Sequence, residues 1–198
     1  MARKVATPGR IYQLKITLDG SKPPIWRRVE VADSVTLAQL HTIIQTAMGW
    51  TDSHLHMFHV GGATYGVPDP DDEMEIRDER KIALNRLLSV PKQKLIYEYD
   101  FGDGWTHHVL LEQVLEPEPG AAYPRCTAGK RACPPEDCGG IWGYASFLEA
   151  IADPQHSEHD ELLEWVGGAF DPTLFDIAAV NAALGSRNPA VRAGRALG

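Results

Sequence analysis

Three cysteines lie close together in the chain and are the first residues that could carry chemistry. Cys126, Cys133 and Cys138 have the spacing C-x6-C-x4-C, and the chain contains no other cysteine. Three thiolates plus one imidazole or carboxylate make a tetrahedral zinc site, which is the interpretation that we favour. Because the C-x2-C knuckle of many zinc sites is missing, unpaired structural cysteines and redox pairing stay open beside it.

The fourth ligand must come from elsewhere in the chain, and the histidines are the natural source. We predict His107, because it lies on the apolar face of a strand expected over residues 105–112, whereas His108 lies on the opposite face. An inward imidazole needs a partner, which could equally be a core hydrogen-bond acceptor. His156 or His159 is the second candidate ligand.

Two further groups of residues could do chemistry. His54 and His56 are two residues apart on a predicted strand, so they share a face and could chelate a metal. Asp100 and Asp103 precede His107 across a glycine-containing turn, where a carboxylate and an imidazole could act as an acid–base pair. Aspartates in such turns also bond to their own backbone, which is the alternative interpretation. The common nucleophile, phosphate-loop and metalloprotease motifs are missing from the sequence.

The elements that position these residues follow from hydrophobic periodicity. Alternating apolar and polar residues predict strands, and Thr36 with Gln39 forms a capping box before a helix that Gly49 ends. Asp171 and Pro172 predict the start of a last helix that ends before Gly185. Strands are predicted over residues 11–18, 25–31, 54–60, 94–99 and 105–112, a solvated loop over 67–80, and further helices over 144–152 and 157–166.

This order of elements predicts an α+β fold. We expect an antiparallel or mixed sheet from two hairpins plus a strand, with one helix packed after the first hairpin and helices at the C-terminus. Residues 11–184 are predicted to form a single domain, flanked by basic tails at 1–10 and 185–198 that we expect to be flexible.

Charge limits the class of partner. The net charge is -8, and because both tails are basic, residues 11–184 hold 13 basic against 27 acidic residues. An acidic body repels phosphate backbones, which disfavours nucleic acid as a partner. No apolar run reaches the ~20 residues that a membrane crossing needs, and no apolar segment follows the first basic residues, so we expect a cytoplasmic protein that does not associate with membranes.

Five sequence blocks together resemble the plasmid pRiA4b open-reading-frame-three-like family, some of whose members are labelled as resolvase-type passengers of mobile elements. The blocks are IYQLKI at 11–16, PIWRR at 24–28, GW at 49–50 with HLH at 54–56, YDFGDGWTH at 99–107, and CPPEDCGG at 133–140 with GY at 143–144. The resemblance implies an α+β domain in which residues 134–140 pack against the hairpin that carries Asp103 and Trp105. That packing would bring Cys133, Cys138 and His107 together.

The leading functional hypothesis is a cytoplasmic binding or interaction domain with a structural zinc ion. Zinc held by Cys126, Cys133, Cys138 and His107 would fasten residues 117–140, which have few apolar residues of their own.

Two alternatives are kept beside this hypothesis. One is a metal-dependent or acid–base enzyme, acting on nucleic acid through Asp100, Asp103, His54, His56 and His107, for which an open coordination position would be the sign. The other is a module that binds a protein or small-molecule partner through exposed aromatic residues such as Trp50 or Trp142.

Overall fold

The computed structural model describes residues 9–69 and 75–187. Most of the two predicted basic tails therefore lies outside the described residues. Within them the fold is α+β, as predicted, with one sheet and four helices. The strands are β1 (Ile11–Leu18), β2 (Trp26–Ala32), β3 (His56–Val60), β4 (Ala63–Gly66), β5 (Ile76–Asp78), β6 (Lys94–Tyr99), β7 (Trp105–Leu115) and β8 (Arg125–Lys130). The helices are α1 (Leu37–Met48), α2 (Gly140–Ala152), α3 (His159–Trp165) and α4 (Ile177–Arg187).

The described strands form a mixed sheet in the order β5-β4-β3-β6-β7-β1-β2-β8. The predicted hairpins β1–β2 and β6–β7 are both present, and β7 pairs with β1 to join them at the centre of the sheet. Neighbouring strands are antiparallel except for β4 and β5, which run parallel. The end of β6, the start of β7 and the segment before β3 therefore lie side by side.

Helix α1 begins and ends where the sequence predicts. The side chain of Thr36 accepts a hydrogen bond from the backbone of Gln39, and the Gln39 side chain accepts one from the backbone of Thr36. Gly49 ends the helix in the left-handed region, at φ 97°, where a glycine has no Cβ to clash. Leu37, Leu40, Ile44 and Ala47 are buried on one face of this helix, so burial of an amphipathic face holds it in the core.

The core contains one unusual charged group. Arg27 on β2 is only 2% exposed. Its guanidinium donates hydrogen bonds to the backbone carbonyls of Ala47, Trp26 and Lys130, and it lies 4.3 Å from the ring centroid of Phe175. Ala47 belongs to the last turn of α1, so the negative end of a helix dipole stabilises this cation.

Three details of the predicted elements are wrong. Residues 67–80 are not entirely a loop, because β5 lies within them and Glu79, just beyond β5, is buried. Strand β8 was not expected. The last helix begins at Ile177, not beside Asp171, because Asp176 accepts the hydrogen bonds of the first helical amides while Asp171 accepts those of Thr173. It also continues through Gly185 to Arg187 and does not end before Gly185.

Candidate functional site

The segment of residues 133–140, here called the proline loop, lies against the turn of residues 100–104, here called the glycine turn. The amide of Gly139 donates to Asp103 Oδ2 at 3.2 Å. Gly140 has φ 67°, and a Cβ at this position would lie 2.3 Å from the carbonyl oxygen of Asp103. Only glycine allows the two backbones to approach this closely.

Aromatic residues fasten the proline loop to the sheet. Trp50 Nε1 donates to the carbonyl of Pro134 at 3.0 Å, and Tyr99 donates to Glu136 Oε1 at 2.5 Å. Glu136 also accepts from the Thr51 amide at 3.0 Å. Burial, and then the hydrogen bond to Glu136, raise the pKa of Tyr99. Trp50 is 4% exposed, so it is not the surface aromatic that the sequence suggested.

The structure does not gather the four predicted zinc ligands into one group. Cys126 is buried on β8, where its thiol lies 3.4 Å from the carbonyl of Ala128, while Cys133 and Cys138 stand at two points of the proline loop. Burial raises the pKa of Cys133 and raises that of Cys138 to about 12. In residues 9–69 and 75–187, no three ligand atoms from these cysteines and His107 lie within 4.8 Å of one another. The zinc site therefore stays a prediction.

His107 points into the core, as the strand alternation predicts. The residue is 0% exposed, and among the described residues neither ring nitrogen has a well-aligned hydrogen-bond partner, although the backbones of Tyr97 and Trp105 lie close enough to favour its protonated form. Burial lowers its pKa to about 4, so the imidazole is neutral at pH 7. The Asp100 carboxylate accepts hydrogen bonds from the amides of Gly102 and Asp103, which confirms for Asp100 the interpretation that such aspartates bond to their own backbone, and it does not pair with His107.

His54 takes part in a cluster with two aspartates. Its Nε2 atom lies 3.0 Å from Asp137 Oδ1 and 3.6 Å from Asp100 Oδ2, so the proline loop and the glycine turn meet at one imidazole. Asp100 and Asp137 both have left-handed backbones, at φ 54° and 60°. This arrangement brings together His54 and Asp100, which the sequence analysis singled out, and Asp137, which it missed.

His56 belongs to a different cluster, so the predicted chelating pair with His54 is wrong. The rings of His56 and His41 are stacked, with centroids 3.5 Å apart and an angle of 5° between their planes. Asp52 bonds to His41 at 2.7 Å, and Glu79 bonds to His56 at 2.8 Å. A metal binds in the plane of an imidazole, along the lone pair of nitrogen, so one ion cannot serve two stacked rings. This cluster is a hydrogen-bonded network within the fold.

A groove of about 660 Å³ runs between α2 and α3, and we call it the α2–α3 groove. Two groups of residues line it. The apolar ones are Phe147, Leu162 and Trp165, and the charged or titratable ones are Asp137, Cys138, Glu149, His156, Glu158 and Glu161. His156 lines this groove together with Cys138, and His159 bonds to the Ala150 carbonyl. Among the described residues, no group of three ligand atoms within 4.8 Å of one another includes either of these second-choice zinc ligands.

Comparisons with known proteins assign the chain to a family. The family model described as "Plasmid pRiA4b ORF-3-like protein" matches residues 10–179. The chain belongs to the plasmid pRiA4b ORF-3-like family. The uncharacterized protein y4hQ of Sinorhizobium fredii is 39% identical over 176 residues, which cover 88% of this chain and 90% of that protein. The crystal structure of a protein of unknown function, MM3350 from Methanosarcina mazei Go1, matches with 39% identity and a TM-score of 0.81, over 87% of this chain and 98% of that one.

Three of the five sequence blocks that resemble the plasmid pRiA4b ORF-3-like family meet in space. Trp50 and His54 come from the third block, the glycine turn from the fourth and the proline loop from the fifth. The packing of residues 134–140 on the hairpin, which the resemblance implies, is confirmed. No helix in the described parts of the chain is both long and apolar enough to cross a bilayer.

Proposed function

We propose that the protein is a binding domain that holds a basic segment of a partner protein in the α2–α3 groove. The observation that carries this proposal is a set of three carboxylates on the groove wall. Glu149, Glu158 and Glu161 are all exposed, and none forms an ion pair within residues 9–69 and 75–187. Carboxylates without cationic partners repel each other, and a Lys or Arg side chain would relieve that repulsion.

The groove floor suits the same ligand. The Phe147 and Trp165 rings meet edge to face with centroids 5.9 Å apart, and Trp165 keeps 48% of its surface exposed. The aliphatic stem of a Lys or Arg side chain can lie on this surface while its charged end reaches the carboxylates. A guanidinium above an exposed tryptophan also gains a cation–π interaction of about 0.5–1 kcal/mol.

The expected affinity is modest and depends on salt. Each exposed ion pair contributes about 0.2–1 kcal/mol, so losing one carboxylate should weaken binding by about 1.4- to 5-fold. The ion pairs are solvent-exposed, so raising the salt concentration should weaken binding further.

The test is a titration of the protein with a fluorescent hexa-arginine peptide, followed by anisotropy. We expect saturable binding that Glu158→Gln together with Glu161→Gln weakens by about 2- to 25-fold. Glu164→Gln is the matched control, because Glu164 lies on the same helix but does not line the groove. Equal losses in the control and in the double variant would mean that the groove is not the binding surface, and so would equal binding of a hexa-glutamate peptide.

The predicted structural zinc site, here called the zinc staple, is a second proposal. In it, zinc binds Cys126, Cys133, Cys138 and His107. Two observations support it: the buried His107 nitrogens lack a well-aligned hydrogen bond among the described residues, and two of these cysteines lie in the proline loop. The three cysteines are free in the structure, which fits the reducing cytoplasm that we propose as the protein's location. Cys133→Ser should release the metal and lower the melting temperature; unchanged values for both would count against this site.

A further inference from the structure

We infer that His54, Asp100 and Asp137 form a binding site for a divalent transition-metal ion of the zinc or cobalt class. This site is separate from the proposed zinc staple. It also goes beyond the peptide-binding proposal, because its ligands converge at the glycine turn and not along the α2–α3 groove. Of the three ligands, only Asp137 also lines the α2–α3 groove.

The first argument is the spacing of the ligand atoms. One ligand atom from each of the three residues lies within 4.8 Å of the other two. His54 Nε2 lies 3.0 Å from Asp137 Oδ1 and 3.6 Å from Asp100 Oδ2. Two ligand atoms that are each about 2.1 Å from one ion lie about 3.0–3.4 Å apart at octahedral or tetrahedral angles. Small side-chain shifts would therefore place an ion between them.

The second argument is an unsatisfied polar atom. The Nε2 atom of His54 is shielded from solvent, although the side chain as a whole is 29% exposed, and among the described residues it faces two carboxylates without a well-aligned hydrogen bond to either. A buried polar group without a partner is costly in a folded protein. A metal bound along the nitrogen lone pair would supply the missing partner, and both carboxylates would then become ligands.

The third argument is that the ligands are held in advance. Asp100 Oδ1 accepts hydrogen bonds from the amides of Gly102 and Asp103, which leaves Oδ2 directed at His54. The His54 ring packs edge-on against Tyr99, with centroids 5.8 Å apart. The left-handed backbones of Asp100 and Asp137 are sparsely populated conformations, which tend to occur where a site must be built.

The ligand set also indicates the class of ion. One imidazole and two carboxylates suit zinc, cobalt, manganese or nickel, whereas soft ions such as copper(I) prefer thiolates. The Asp137 side chain is 68% exposed, so solvent reaches the Asp137 side of the cluster. A bound ion would tie together three segments that are distant in sequence, namely the one before β3, the glycine turn and the proline loop.

The test is calorimetric titration of the full chain, stripped of metal with a chelator, using zinc chloride and cobalt chloride. In Cys133→Ser, which removes the proposed cysteine site, we expect one ion per chain, and a loss of affinity of at least about tenfold when His54→Ala is added. Asp137→Asn is a second variant on an exposed side chain that keeps the shape of the residue, so its loss of affinity would not reflect misfolding. His156→Ala is the matched control on an exposed histidine and should bind normally.

Cobalt separates this site from the predicted cysteine site, because only thiolate ligands give an intense sulfur-to-cobalt charge-transfer band. We expect Cys133→Ser to bind cobalt without this band. Equal affinity with and without His54→Ala in the Cys133→Ser background would overturn the proposal, and so would the loss of all cobalt binding in Cys133→Ser. The absence of any binding would show that the cluster is an imidazolium–carboxylate ion pair only. Peptide binding by His54→Ala is measured separately, so the two proposals can fail independently.

Discussion

The close contact between the proline loop and the glycine turn can be tested at a single atom. Gly140→Ala adds a Cβ that would lie 2.3 Å from the carbonyl oxygen of Asp103, at a residue whose φ is 67°. The left-handed conformation alone costs an alanine about 1–2 kcal/mol. To relieve the overlap the two backbones must separate, which also breaks the hydrogen bond from Gly139 to the Asp103 carboxylate, worth about 1.5–3 kcal/mol. We therefore expect Gly140→Ala to lower the free energy of unfolding by about 4 kcal/mol.

The matched control is Gly104→Ala, in the glycine turn itself. Gly104 has φ 68°, but a Cβ there would meet nothing within 4 Å, so this variant should lose only the conformational part. In thermal unfolding followed by circular dichroism, we expect melting temperatures to fall by about 8–16 °C for Gly140→Ala and about 3–6 °C for Gly104→Ala. Equal decreases would refute the argument, because the steric contact would then add nothing to the backbone strain.

Three further predictions concern other parts of the fold. The pKa of His107 in the folded protein is about 4, below its ordinary value of 6.5. Between these two pH values the unfolded chain therefore binds more protons than the folded one. The metal-free protein should lose about 3 kcal/mol of stability as pH falls from 6.5 to 4. Urea unfolding across this pH range should show a much flatter dependence for His107→Leu, and an unchanged slope would contradict the assignment. Arg27→Met leaves three backbone carbonyls without their donor and should cost about 3 kcal/mol in the same assay, whereas a loss below about 1 kcal/mol would mean that water replaces the guanidinium. Thr36→Ala removes one half of the capping box of α1 and should cost about 1 kcal/mol, and no change would show that the cap contributes nothing.

Much of the fold could be predicted because its signals are local. The alternation in β1 and β2 and the caps of α1 at Thr36 and Gly49 each lie within about ten residues of the element that they define. Strand β8 gives no such signal, because the sequence RCTAGK does not alternate and becomes a strand only by pairing with β2. The start of α4 was misplaced because two aspartates compete as caps, and nothing local decides between Asp171 and Asp176.

The candidate site was predictable only in pieces. His54 and Asp100 were recognised by their residue types, but their partner Asp137 comes from a loop that joins them only when the chain folds. The separation of His54 from His56 has a similar cause, because β3 begins at His56 and leaves His54 outside the strand alternation. The carboxylates of the α2–α3 groove have no sequence pattern that distinguishes them from ordinary surface residues.

The position of β1 in the middle of the sheet has a consequence during synthesis on the ribosome. Strands β1 and β2 emerge first and can pair at once, but the other edge of β1 pairs with β7, where Leu14 faces Leu111. At a translation rate of about 5–20 residues per second, that edge of β1 stays unpaired for roughly 5–20 s before β7 is synthesised. During this interval a row of unpaired backbone amides and carbonyls, with apolar side chains beside it, is open to other nascent chains. Expression yield should therefore respond to translation speed and to chaperones that cover exposed strands, even for variants whose folded state is unchanged.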